Sequence, residues 1–83
     1  MIRIVLVDDQ ALVRAGIRGL LELTDDIRVM AEGANGEEAL TLVASLSPDL
    51  LLLDVRMPVM SGIEAVKTLN ANKQLPPTIL LTT

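Results

Sequence analysis

Three aspartates hold the positions from which chemistry could be done. Asp8 and Asp9 follow the apolar run Ile2 to Val7, and Asp54 follows the apolar run Leu50 to Leu53. In open parallel sheets, ligands bind at the carboxyl ends of the strands, where the strand order reverses. If the two runs are neighbouring strands, three carboxylates meet at one crevice, where they repel one another unless a cation intervenes. The chain has neither cysteine nor histidine, so thiolate sites and imidazole ligation are excluded and any metal must be held by oxygen. An oxygen-only acidic cluster that keeps some water is a magnesium site in kind, because this ion favours one or two carboxylates together with waters and phosphate oxygens. A carboxylate can also attack phosphorus and form an aspartyl phosphate, with the divalent ion screening the incoming group.

The elements that must position these side chains follow from hydrophobic spacing. The two apolar runs have the pattern of strands covered on both faces in a parallel sheet. Between them, Ala11, Leu12, Ala15, Leu20 and Leu23, with Val13, Ile17 and Leu21, recur at helical spacing. Ile27 to Ala31 makes a weaker strand after the Thr24-Asp25-Asp26 turn. A second helix opens at Asn35 as N-cap with Glu38 three residues on, buries Ala39, Leu40, Leu42 and Val43, and stops at Ser47-Pro48. Ser61 with Glu64 forms another capping box, and the helix it opens is expected to bury Ile63, Val66 and Leu69. Pro76-Pro77 interrupts the chain before a fourth strand, Thr78 to Thr82. The alternation predicts an α/β fold with a doubly wound sheet, rather than a bundle or a sandwich. Met57-Pro58 rigidifies the loop after Asp54, and Gly62 is expected to let the chain turn tightly at the start of the third helix.

With 83 residues there is room for one domain, and 51% hydrophobic content is enough for a packed core. Net charge is −4 and the basic residues Arg3, Arg14, Arg18, Arg28, Arg56, Lys67 and Lys73 are scattered, so no stripe matches a nucleic-acid backbone. No apolar run is long enough to span a bilayer, and the N-terminus reads as a strand, not as a secretion signal. A reducing cytoplasm is the expected location.

The tracts VDDQALVRAG at 7 to 16, DLLLLDVRMPVMSG at 49 to 62 and TILLTT at 78 to 83 resemble the receiver domain of two-component response regulators, over the whole chain. The segments VMAEGANGEEAL and DVRMPVMSGIEAV look most like receivers joined to a DNA-binding helix-turn-helix. The resemblance implies a flavodoxin-like sheet of order 2-1-3-4 and a domain occupying residues 1–83. It also implies that Asp54 is both the phosphoacceptor and a magnesium ligand, Asp9 a direct magnesium ligand and Asp8 a ligand acting through water. The backbone carbonyl of Arg56 would complete the protein's share of the coordination, and the Thr82 hydroxyl would contact the phosphoryl group. A sensor histidine kinase is the implied donor, and the domain itself is a phosphoacceptor rather than an enzyme. Taken singly, an Asp-Asp pair after a strand reads as a helix cap or turn, Thr82 as an ordinary strand residue and Arg56 as a solvated loop residue. The D-x-x-M-P-x-x-S-G pattern at the right distance reverses the first of these.

The family's pattern continues with a fourth helix, a fifth strand and a fifth helix, carrying a lysine that pairs with the acceptor and an aromatic residue that reports the switch. These residues hold no counterpart, and no aromatic residue at all. The domain is therefore expected to be incomplete at its C-terminus. Lys67 lies inside the third helix and Lys73 beyond it, so neither substitutes. Three functions follow: the N-terminal part of a phosphorylation-regulated transcription factor, reaching DNA only through an absent domain; a truncated receiver acting as a non-switching interaction module; or a metal-dependent phosphohydrolase. The last would want an acidic residue two positions after its nucleophile, where Asp54 is followed by Arg56 and Asp8 by Gln10. One helix covers about two of four strands, so strands three and four are expected to be left uncovered on one face, with strand four an open edge; the chain is expected to be marginally stable and either to associate through that edge and face or to require the absent segment.

Overall fold

The computed structural model describes residues 1–81. Strands β1 (Ile2–Val7), β2 (Ile27–Gly33), β3 (Leu50–Asp54) and β4 (Thr78–Leu81) alternate with helices α1 (Ala11–Leu21), α2 (Gly36–Leu46) and α3 (Gly62–Ala71). All strand pairs are parallel and the order is β2-β1-β3-β4, so β1 and β3 are central neighbours. That placement explains their unbroken apolar sequences. Val5, Val7, Leu51 and Leu53 face Ala39 and Val43 of α2 and Ala65 and Leu69 of α3. Ile4, Leu6 and Leu52 face the opposite way, with Val29, and meet Ile17 and Leu21 of α1. The period-two alternation therefore fills two cores, one on each side of the sheet.

The caps define the helix starts. The Asn35 side chain accepts from the Glu38 amide at 3.0 Å, and Ser61 and Glu64 form the reciprocal capping box. Helix α2 ends at Ser47 in the left-handed region (φ 45°). Its last carbonyls, on Leu46 and Ser47, both accept from Arg3 on β1. Helix α3 ends in a Schellman-type turn: Lys73 is left-handed (φ 56°), its amide donates to the Asn70 carbonyl at 3.1 Å, and the Gln74 amide reaches back to Leu69 at 2.8 Å.

The structure departs from the sequence expectations at several places. Helix α1 buries none of its residues, and Leu12, Leu20 and Leu23 are 85%, 70% and 82% exposed. Its helical spacing is real, but only Ile17 and Leu21 are packed against the core. Charge supplements this thin packing: Glu32 on β2 accepts from Arg14 at 3.2 Å and Arg18 at 2.7 Å, while Glu22 accepts from Arg18 and from the Val29 amide. The Arg18 hydrogen bond, then that of Arg14, holds the Glu32 carboxyl below the ordinary carboxylate range; the Val29 amide does the same for Glu22. On α3, Leu69 is buried and Val66 packs beside the core, but Ile63 is 42% exposed because it sits on the helix face away from the sheet. Strand β4 is described over Thr78–Leu81, and the expected last residue, Thr82, lies outside the described residues. Leu52 is covered, contrary to expectation, at 7% exposure, whereas Ile79 beside it on β4 is 51% exposed. The bare part of that face is thus β4 rather than the β3–β4 pair.

Candidate functional site

The carboxyl ends of β1 and β3 lie side by side, with Val7 opposite Leu53. The next residues along both strands therefore emerge at one edge, and there Asp8, Asp9 and Asp54 bring one carboxylate oxygen each to within 4.8 Å of one another. Asp8 and Asp54 are buried, at 2% and 4% exposure, and Asp9 is exposed. The Asp8 carboxylate accepts from the Gln10 amide at 2.8 Å, so the turn-forming role of such a residue is present alongside its place in the cluster. The Arg56 amide lies 3.4 Å from Asp54 Oδ1, so the loop curls around the Asp54 carboxylate. All ion pairs among the described residues gather on Glu22 and Glu32, leaving the carboxylates of the three aspartates without an ion pair. Two buried carboxylates and a third at the rim, all oxygen and none neutralised by a cationic side chain, fit a hard divalent cation such as magnesium. Thr82 lies outside the described residues, and Lys67 on α3 and Lys73 beyond its end carry no ion pair to the cluster among them.

The loop from Val55 to Ser61 that closes one side of the site is held by backbone contacts which the sequence did not reveal. Gly62 has no positive φ, and what it provides is room: a Cβ there would stand 2.2 Å from the Asp54 carbonyl oxygen. Its amide donates to the Val55 carbonyl at 2.9 Å, fastening the start of α3 to the end of β3. Gly36 plays the same part for α2, since its Cβ would fall 2.6 Å from the Met60 carbonyl oxygen to which its amide donates at 2.9 Å. Between these anchors, Val59 has φ 68° and the Met60 amide bonds back to the Pro58 carbonyl at 2.7 Å, a strained three-residue turn that β-branched residues rarely adopt. The surroundings impose it, because Met60 packs against the core while its carbonyl is committed to Gly36. Val59→Gly should therefore stabilise the chain by about 1 kcal/mol, as relief of left-handed strain exceeds the added unfolded-state entropy. Chemical denaturation measures this, and a less stable Val59→Gly variant would show that the turn is not strained.

The receiver domain family of response regulators matches residues 4–83. The chain is 40% identical over 83 residues to the transcriptional regulatory protein LnrK of Bacillus subtilis, an alignment covering 100% of this chain and 38% of that one. It is 43% identical over 76 residues to a protein-glutamate methylesterase/protein-glutamine glutaminase of Methanosarcina mazei, covering 92% of this chain and 21% of that one. Among solved structures, the response regulator domain of Thermotoga maritima CheB superposes with TM-score 0.91 at 31% identity, covering 99% of this chain and 60% of that chain. A LuxR-family response regulator from Aurantimonas sp. SI85-9A1 gives TM-score 0.92 at 34% identity, with coverage of 99% and 59%. The chain thus spans well under half the length of the curated relatives it matches and about three fifths of these solved chains.

Proposed function

From the premise that this chain belongs to the receiver domain family of response regulators, we propose that Asp54 accepts a phosphoryl group from the phosphohistidine of a sensor kinase. One observation carries this reading: Asp54 ends β3 buried at the carboxyl edge of the sheet, with oxygens of Asp8 and Asp9 within 4.8 Å. In the transfer, an Asp54 carboxylate oxygen forms a bond to phosphorus as the phosphorus–nitrogen bond to the kinase imidazole breaks, its electron pair remaining on nitrogen. Magnesium, when bound, would supply the positive charge that offsets the phosphoryl oxygens. Asp9 would hold it directly, Asp8 through water, and the Arg56 carbonyl would add a neutral oxygen. The Arg56 amide orients the Asp54 carboxylate, leaving the other oxygen free to attack. The Thr82 hydroxyl is assigned to the phosphoryl group by its place in the family pattern.

The alignment with LnrK, which runs the whole length of this chain and covers 38% of that relative, supports a reading as part of a longer transcriptional regulator; we place the chain at the N-terminal end of such a regulator, in the cytoplasm. DNA would be reached through sequence outside these residues. The division of labour between the two adjacent aspartates is testable by magnesium titration. Asp9→Ala should weaken binding by roughly tenfold or more and Asp8→Ala by less, because a direct ligand contributes more than one acting through water. Equal losses, or a larger one for Asp8→Ala, would reverse the two assignments.

Self-association through β4 is part of the same proposal. Its outer edge has no strand partner among the described residues, and Ile79 and Leu80 are 51% and 40% exposed. The 83-residue polypeptide should sediment with a mass that rises with concentration. A monomer at all concentrations, with a cooperative thermal transition and no exposed-apolar dye binding, would remove this surface from the account.

A further inference from the structure

Arg14 carries a function that the acidic cluster alone does not explain. Its side chain is only 18% exposed, although it stands on a helix that buries none of its residues. The guanidinium has two partners on different elements: Nη1 donates to the backbone carbonyl of Asp8, and Nε donates to Glu32 Oε1 at 3.2 Å. We infer that Arg14 is a positioning residue for the acidic cluster, clamping the peptide unit between Asp8 and Asp9 to Glu32 on β2.

That peptide unit decides where both carboxylates point. Its carbonyl belongs to Asp8 and its nitrogen to Asp9, so a rotation about it swings the two side chains together. Asp8 is otherwise fixed on its own side, by its amide to the Gly33 carbonyl at 3.1 Å and its carboxylate to the Gln10 amide. Asp9 is exposed, and no hydrogen bond among the described residues restrains its carboxylate. Its direction therefore depends on the backbone that Arg14 holds. Packing cannot replace the clamp, because α1 rests on the sheet through Ile17 and Leu21 alone. Glu32 is a firm anchor because Arg18 also donates to it, at 2.7 Å. A fork that donates in two directions suits this task, whereas an ammonium acts as a point charge.

This inference rests on the reading of Asp8, Asp9 and Asp54 as a divalent-cation site. Charge and clamping predict opposite results there, which makes the role measurable. A guanidinium near the site repels a cation, so if charge governs, Arg14→Met should tighten magnesium binding and Arg14→Lys should leave it unchanged. If clamping governs, both variants should raise the magnesium Kd by roughly tenfold, as loss of an orienting partner does at metal sites, and Glu32→Gln should raise it in the same direction. Calorimetric titration of the intact chain with magnesium alone distinguishes these. Tighter binding or no change in the Arg14 variants overturns the inference. A second measurement needs no metal: exchange of the Gln10 amide with solvent, followed by magnetic resonance, should quicken several-fold in both Arg14 variants while the Leu6 and Leu52 amides stay as they were. If the parent chain takes up no magnesium, the reading of the site fails, yet unchanged Gln10 exchange would still refute the clamp and faster exchange would still support it.

Discussion

Asp54→Asn should reduce labelling by a small-molecule phosphodonor to background while leaving the protein folded. The amide cannot serve as the nucleophile, and Asp8, the other buried carboxylate of the cluster, has its side chain tied to the Gln10 amide at 2.8 Å. Loss of label through unfolding is not expected, because the substitution keeps the shape of the side chain and removes one of three mutually repelling charges. The variant should melt at or above the temperature of the parent chain. Intact-mass measurement alongside a thermal melt checks both halves. A phosphoryl adduct on Asp54→Asn would place the acceptor elsewhere, and a collapsed melt would leave the label loss attributable to folding.

Gly62→Ala should have the second large effect, on stability first and on labelling as a consequence. The added Cβ would meet the Asp54 carbonyl oxygen at 2.2 Å and stand 3.0 Å from the Asp54 carbonyl carbon and the Val55 Cα. All three are backbone atoms, which cannot rotate aside as a side-chain tip would. Either α3 retreats from β3, breaking the bond from the Gly62 amide to Val55, or the end of β3 shifts and carries Asp54 with it. A cost of about 3 kcal/mol is expected, at the upper end for overpacking because the backbone must yield. Denaturant unfolding gives the number, and a variant within about 0.5 kcal/mol of the parent, the usual range for unconstrained surface changes, would mean that the close approach is not real.

The contrast between these two residues shows what the sequence carried and what it did not. Asp54, Asp9 and Asp8 were legible because each follows an apolar run, and the runs are continuous since β1 and β3 are central. The caps at Asn35 and Ser61 were legible because a cap and its partner lie three residues apart. Gly62 was singled out for a tight turn, but what requires glycine there is a close backbone approach and not a positive φ. Its actual neighbour, the Asp54 carbonyl, is fixed only once α3 has folded back over β3. Gly36 against Met60 and the clamp from Arg14 to Glu32 were invisible for the same reason, since each joins separate parts of the chain, and the turn at Val59 was invisible because a β-branched residue is no signal for a positive φ. Helix α1 was misjudged in the other direction. Apolar spacing specifies a helix face but not what lies against it, and Leu12, Leu20 and Leu23 remain exposed.

Magnesium dependence of labelling at Asp54 tests the central claim most directly. The parent chain, incubated with a small phosphodonor and excess magnesium, should gain a single phosphoryl group, and hydride trapping followed by peptide mapping should locate it at Asp54. Chelation of the metal before the donor is added should abolish the adduct, because three carboxylates at this edge leave an incoming phosphoryl group facing only negative charge. An adduct at another residue, or equal labelling with and without magnesium, would contradict the account.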